Sequence, residues 1–525
     1  MNKILLLYHT IYFLKLKQIY FRLFYALRTK WRKYRNYQYK ISIQSDSNTL
    51  HLRRSIAPKI LYKEGKFNFL NLEHVFSKGI DWNYGEYGKL WTYNLNYFEY
   101  LIQNDISKEE GERLIYDFID KSLDIHDGRM PFPISLRGIN WIKFLTKYAI
   151  KDQKIDDSLF AQYIILMDNI EYHILGNHLL ENGFSLLYGA YYFKNDNFYK
   201  KAKAILEKEL DEQVLEDGAH FELSPMYHQI MLLRILDSIN LLQNNRWKND
   251  TLLNKLKEKS EMMLGWLLSM TYRNGAIPLL NDSSYGIAPT TAELIEYAKK
   301  LHREPKSIVL NQSGYRKIEN EAYECVIDIG NIGPDYIPGH AHSDTFSFEL
   351  YVQEKPVIVD TGLSTYETND RRMSERATSA HNTVEVNEED QSRVWGGFRV
   401  AQRAKVIDIN ESDSSIAATH NGYKKSMGIL HKREWEFASD MIIIRDSING
   451  ENTDKLISYL HFHPDIPVTI ENDTIITPLI KISYYNIIEL SLLEYEYAPE
   501  FNRRKVAQMI KAVIKQNSSM EIKIL

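Results

Sequence analysis

The chain has 525 residues, too many for one hydrophobic core, so at least two domains are expected. Its make-up, 44% hydrophobic and 26% charged, is that of a globular protein, and a net charge of −4 gives no global pull toward nucleic acid. A single cysteine, Cys325, excludes an intrachain disulfide and leaves the redox compartment open.

The first forty residues stand apart, with ten Lys or Arg and no Asp or Glu. Ile4 to Leu14 is apolar but too short to span a bilayer, and no small-residue cleavage site follows, so neither a spanning helix nor a secretory signal is expected. Tyr12, Phe13, Leu16, Ile19, Tyr20, Leu23 and Phe24 recur at helical spacing beside basic residues. Such a helix either lies on an anionic membrane surface or docks on its own protein. A cytoplasmic location, or one peripheral to the inner membrane, is the expectation.

Ile60 to Tyr100 is aromatic-rich and irregular. From there to about Arg303 the apolar period is helical, marked by Leu123, Ile142, Ile164, Leu186, Leu232 and Met263 among others. Within this region Gly176–Gly183 (GNHLLENG) opens a helix with His178, Glu181, Asn182 and Ser185 on one polar face. In Glu222–His228 (ELSPMYH), Ser224 is a good N-cap and Pro225 a good first helical residue. Tyr227 then falls in the first turn, where the helix dipole makes a phenolate slightly easier to form, and a Tyr beside a His can handle protons. Plain packing at a helix start explains the same residues.

After Ser307 the period becomes that of strands, from Tyr323–Ile329 to two short ones at Ile480–Tyr484 and Glu521–Leu525, separated by Gly, Asn-Asp and Pro turns. An antiparallel β-sandwich is expected, with the domain boundary near 303–320. The chain thus reads as three parts: a basic aromatic segment over 1–75, a helical-hairpin array, solenoid or toroid, over 76–305, and a β domain over 306–525.

The densest stretch is Gly339–Gly362 (GHAHSDTFSFELYVQEKPVIVDTG). His340 and His342 precede one alternating run, Asp360 closes the next, and His381 opens a third. Two imidazoles and a carboxylate, His342, Asp360 and His381, make a site for a zinc-like divalent ion if a sheet brings them together. A rival reading has His340, His342 and Asp344 as a hydrolase metal motif of the His-x-His-x-Asp-His type, though its last histidine is Thr345 here.

At these residues the sequence resembles the heparinase II/III family of polysaccharide lyases, with alginate and oligoalginate lyases as relatives. Gly176–Gly183, Phe221–His228, Gly339–Gly362 and Ala380–Val386 match in the same order. The resemblance implies an α+β multidomain protein: an incomplete (α/α) toroid followed by an antiparallel β-sandwich, with a cleft between them. It implies that Tyr227 and His340 are catalytic and that His342, Asp360 and His381 hold a largely structural Zn²⁺. Asn177 and His178 would face the substrate carboxyl group, with Glu181 beside them. Arg137, Asn140, Trp141, Trp395 and Arg399 are further candidates for sugar contact. Gln391–Arg399 (QSRVWGGFR) is similar to members tied to capsule or O-antigen polysaccharide clusters.

The implied partner is an acidic polysaccharide or oligosaccharide, and the implied reaction is β-elimination: loss of the C5 proton of a 4-linked uronate and departure of O4. Asn177 or His178 would offset charge on the carboxyl group, and Tyr227 or His340 would be the base. A non-catalytic glycan-binding scaffold and a zinc hydrolase are the two alternatives.

Overall fold

The computed structural model describes residues 3–248, 251–451 and 455–525. Two helices, Lys3–Tyr12 and Leu16–Tyr34, lead into a small antiparallel sheet of Tyr62–Lys63, Lys66–Phe69 and Leu72–Val75. Nine α-helices then run from Lys89–Tyr97 to Thr291–Lys300 among the described residues. Their starts follow from local chemistry. Ser107, Asp152 and Asn195 each accept a hydrogen bond from a first-turn N–H, and Thr290 with Glu293 forms a capping box. The helices and the small sheet share one apolar core, into which Tyr62, Phe67 and Phe69 of the sheet insert.

The β domain has two layers. One is a four-stranded antiparallel sheet in the order Tyr315–Glu319, Tyr323–Asp328, Phe348–Val352, Lys355–Ile358. The other has ten strands and is built around the hairpin of Ile480–Glu500 and Arg503–Ile524. Cys325, Ile327, Phe348 and Leu350 from the first and Trp435, Ile442, Ile444 and Ile522 from the second form a common core, which makes the pair a sandwich. In the outer layer burial alternates, as along Met441–Asn449. The inner strands Tyr323–Asp328 and Phe348–Val352 are buried on both faces. Their second face meets the helical domain, where Val326 and Tyr351 pack with Trp266, Met270 and Tyr272, and the Tyr272 and Tyr351 rings stack at 3.7 Å.

The architecture is therefore the expected helical domain followed by an antiparallel β domain. Three details differ. The alternating run after His340 and His342 becomes a strand only from Phe348, because Phe346 adopts a positive φ of 71° and breaks it. A strand at Leu430–Phe437 went unread, since Lys432, Arg433, Glu434 and Glu436 mask its alternation. The two short C-terminal strands are the ends of a hairpin with arms of 21 and 22 residues.

The basic segment docks on its own protein. Gln18 donates to the carbonyls of Ile174 (3.0 Å) and Tyr336 (3.3 Å), Arg22 to that of His173 (3.1 Å), and Tyr25 to that of Ile170 (2.6 Å). Arg28 and Arg32 pair with Asp168, and Lys15 with Glu212. The Trp395 indole donates to Thr10 at 3.1 Å, and Arg403 covers the Phe13 ring at 3.8 Å. The segment thus bridges the helical and β domains.

Candidate active site between the helical and β domains

The helix Pro225–Asn244 starts as expected: the Ser224 hydroxyl accepts from Tyr227 N–H at 3.2 Å and Pro225 is its first residue. This sets Tyr227 in the first turn, facing the β domain. There its ring lies 3.9 Å from the His340 ring, tilted by 30°. Tyr366 donates to the Tyr227 hydroxyl at 3.2 Å. The expected ease of ionisation is reversed. Burial pushes the Tyr227 phenol well above its ordinary range, outweighing any help from the helix dipole. Tyr227 is held as a neutral acid.

His340 comes from the loop before Phe348–Val352. Its Nδ1 lies 2.9 Å from Asp282 Oδ2, which fixes Nδ1 as the protonated nitrogen and leaves the Nε2 lone pair toward the cleft. Near Nε2 stand Asn177 Nδ2 at 3.5 Å and Glu222 Oε2 at 3.6 Å. Asn177 is in turn fixed by Glu222, which accepts from its backbone N–H (3.0 Å) and its side-chain amide (3.1 Å). Gly176 permits this approach: with φ at +58°, a Cβ there would stand 2.6 Å from Glu222 Oε1. Burial raises the Glu222 carboxyl pKa, against the pull of His340 and the Asn177 N–H.

His178, next in the helix, turns its Nδ1 to Glu171 at 3.0 Å and its ring to Phe132, with centroids 4.4 Å apart. Burial disfavours its charged form, but Glu171 overrides that and raises its pKa, so His178 brings positive charge to the cleft more readily than a free imidazole.

Beneath His340 lies a buried charge cluster that the sequence did not reveal. Asp282 accepts from His340, from His342 Nε2 at 2.8 Å, and from both terminal nitrogens of Arg372 at 2.5 and 2.7 Å. Burial alone would raise the Asp282 pKa; Arg372 and the two histidines outweigh it and hold the carboxyl well below its usual range. Asp282 sits in the irregular segment between helices, where Asn-Asp-Ser-Ser reads as a turn, and Arg372 in the six-residue helix Asp370–Glu375. Neither place has a periodic signal.

His342, Asp360 and His381 are fully buried and adjacent. The His342 and His381 rings lie 5.3 Å apart, and His381 Nδ1 is 2.7 Å from Asp360 Oδ2. His342 Nδ1 and His381 Nε2 are buried without a hydrogen-bond partner. Two free imidazole nitrogens and a carboxylate have the donor chemistry of a zinc site. Among the described residues, however, no three His, Cys, Asp or Glu side chains are gathered to hold an ion, and Asp360 is engaged by His381. His340, His342 and Asp344 form no ligand set either: both histidines direct a nitrogen at Asp282.

Four sugar-contact candidates are corrected by burial. Arg137, Asn140 and Trp141 lie inside the helical core. Arg137 bonds Gln162 and the Asn96 carbonyl beneath the Phe118 ring, Asn140 bonds the Tyr97 carbonyl, and Trp141 packs on Phe98 and Phe118. Glu181 is buried in an ion pair with Arg234 at 2.9 Å, so it is not a free acid facing a ligand. Trp395 is partly buried with its N–H on Thr10, and exposed Arg399 covers its ring at 4.6 Å.

Comparison with known proteins bears on the fold and the family. Residues 141–308 match the heparinase II/III N-terminus, and residues 302–524 the heparinase II/III-like C-terminal domain. A heparin-sulfate lyase of Bacteroides stercoris is 22% identical over 401 residues, 70% of this chain and 57% of that protein; the chain thus aligns with little more than half the length of this curated relative. The crystal structure of heparinase III superposes with a TM-score of 0.68 at 15% identity, covering 86% of this chain and 80% of the other. Heparan sulfate lyase HepC from Pedobacter heparinus gives 0.57 at 16% identity, covering 88% and 81%. Two adjoining domain matches in the right order, on a fold of this likeness, establish that the chain belongs to the heparinase II/III-like family.

Proposed function

We propose that the protein is a polysaccharide lyase that cleaves a uronate-containing glycan by β-elimination. One observation carries the reading: an imidazole with one nitrogen locked on Asp282 and the other turned to the cleft beside Asn177, against the ring of a phenol that burial makes harder to ionise. The names of the relatives, heparin-sulfate and heparan sulfate lyases, support an acidic polysaccharide as the substrate class.

In this reading His340 Nε2 removes the C5 proton. Negative charge then grows on the uronate carboxyl group, where the Asn177 amide and the cationic form of His178 offset it. As the C4–O4 bond breaks, the Tyr227 hydroxyl gives its proton to O4, and the product is a 4,5-unsaturated uronide with no water consumed. Burial raises the Tyr227 pKa, which supports reading it as the acid. Tyr366, which donates to the Tyr227 oxygen, favours the phenolate left behind.

We extend the proposal to a zinc ion held by His342, Asp360 and His381, supported by the two orphaned nitrogens. Such an ion would fix the wall behind His340, with the His381 Nδ1–H···Asp360 bond orienting the ring that offers Nε2 to it. Elemental analysis of purified protein tests this: less than a tenth of an equivalent of metal, with no thermal shift on zinc addition, removes the ion from the scheme.

The decisive assay follows the near-ultraviolet absorbance of the new double bond on a panel of uronate polymers. Tyr227→Phe and His340→Ala should each lower turnover by about 10²–10⁴-fold without unfolding the protein. Turnover preserved in both variants would remove the assignment; new reducing ends with no absorbance would indicate hydrolysis instead.

A further inference from the structure

The helix Leu16–Tyr34 is docked the wrong way round for a helix whose only partner is its own protein. Gln18, Phe21, Arg22, Tyr25, Arg28 and Arg32 form its inner face, and most of their bonds to the body are polar. On the outer face Leu16, Tyr20, Leu23, Leu27, Trp31 and Tyr34 recur every three or four residues, with 59–85% of each exposed. A globular helix normally buries its apolar stripe and wets its polar one. The short helix before it repeats the pattern, leaving Leu7, Tyr8, Ile11 and Tyr12 exposed. A contiguous apolar surface of this kind on a folded protein marks an interaction site.

Charge selects the occupant. Lys30, Lys33, Arg35 and Lys40 are exposed along or beside the stripe, and the first forty residues carry no acidic side chain. Aromatic residues with polar tips beside lysines suit the boundary between headgroups and acyl chains. No helix among the described residues is long and apolar enough to cross a membrane. We propose that this helix pair seats the protein on the surface of an anionic lipid bilayer, apolar stripe inward to the acyl boundary and cations toward the headgroups.

The same helix reaches the carbonyls of His173 and Ile174, four and three residues before Asn177, and that of Tyr336, four before His340. A bilayer on its outer face would therefore lie one helix thickness from the cleft. The surface that binds lipid and the groups proposed to eliminate the uronide are different residues, so the two readings stand or fall separately.

The test uses full-length protein and flotation with vesicles of phosphatidylcholine alone or mixed with phosphatidylglycerol. Binding is expected only to the anionic vesicles and should weaken with salt. Lys30→Gln with Lys33→Gln should lower affinity by about fivefold per charge removed. Leu23→Ser, Leu27→Ser and Trp31→Ser combined should abolish binding, while turnover of soluble polymer and the melting temperature stay as in the parent. Failure to float with anionic vesicles, or equal binding to both compositions, overturns the proposal. So does a dimer in sedimentation velocity that the triple variant dissolves and that forms without lipid, since that would make a second copy the occupant.

Discussion

Two buried networks among the described residues have the same parts, an aspartate gripped by a two-pronged arginine with two histidines; one joins the helical and β domains, and the other lies within the β domain. In one, Asp282 holds Arg372, His340 and His342. In the other, Asp446 holds Arg433 at 2.7 and 2.9 Å and His431 at 2.7 Å, and His431 receives His420 at 3.0 Å. The second is wired in series and closed: the Gly422 N–H caps His420 Nδ1, and every imidazole nitrogen has a partner. The first is wired in parallel and open. His340 keeps 13% of its side chain exposed, its Nε2 meets a long 3.5 Å contact from Asn177, and His342 Nδ1 has no partner. Composition does not separate the two networks; the unsatisfied edge does. Arg433 also donates to the carbonyls of Phe346 and Asn382, so the closed network holds the irregular segment next to His381.

The sharpest way to break this contrast is to make the same change in both places. Asp282→Asn should lower turnover on the order of 10³-fold, since an amide no longer holds the His340 tautomer. Asp446→Asn should leave turnover per folded molecule within about twofold while costing roughly 3 kcal/mol of stability, because Arg433 stays buried without its counter-charge. Chemical denaturation and the absorbance assay on both variants check the pair; a large rate loss in Asp446→Asn would erase the distinction.

Acid should act through groups that share the closed character. Burial depresses His228 to about 4 and His461 to about 3, and holds His420 well below its ordinary value. An unfolded imidazole takes a proton at about 6.5 whereas these folded ones do not, so their contribution is complete above that pH and is lost as pH falls. Each lowers stability by up to about 1.4 kcal/mol per pH unit between about 6.5 and its folded value. Melting temperature measured from pH 7 to 4 should fall steeply, and His420→Gln should flatten part of that slope. A flat profile would show that these histidines are not held neutral.

The smallest effect is expected at the rim of the open network. Tyr366→Phe deletes one hydrogen bond to the Tyr227 oxygen and should reduce kcat about fivefold, with KM unchanged.

Much of this site was legible because its parts carry local signals. Ser224 and Pro225 announce a helix start, which places Tyr227, and the His-Ala-His run before an alternating strand places His340 and His342. The two-domain division was readable because period changes from 3.6 to 2 near Ser307. What could not be read is what only tertiary contact creates. Asp282 and Arg372 are 90 residues apart and sit in aperiodic segments. Arg137, Asn140, Trp141 and Glu181 look like ligand-facing residues by type; burial turns them inward, and no pattern in a helix as apolar as Pro131–Lys147 says so. The N-terminal helices were readable in composition, while which face would meet the protein was not.

One feature of the open network has a mechanical consequence. Asp282 belongs to the helical half of the molecule, and its three partners belong to the β half. The Asp282 cluster is thus a joint that exists only when the halves are seated together, across the Tyr272–Tyr351 stack and its apolar surround. On the proposed chemistry, parting the halves would release His340 from Asp282 and so disarm it.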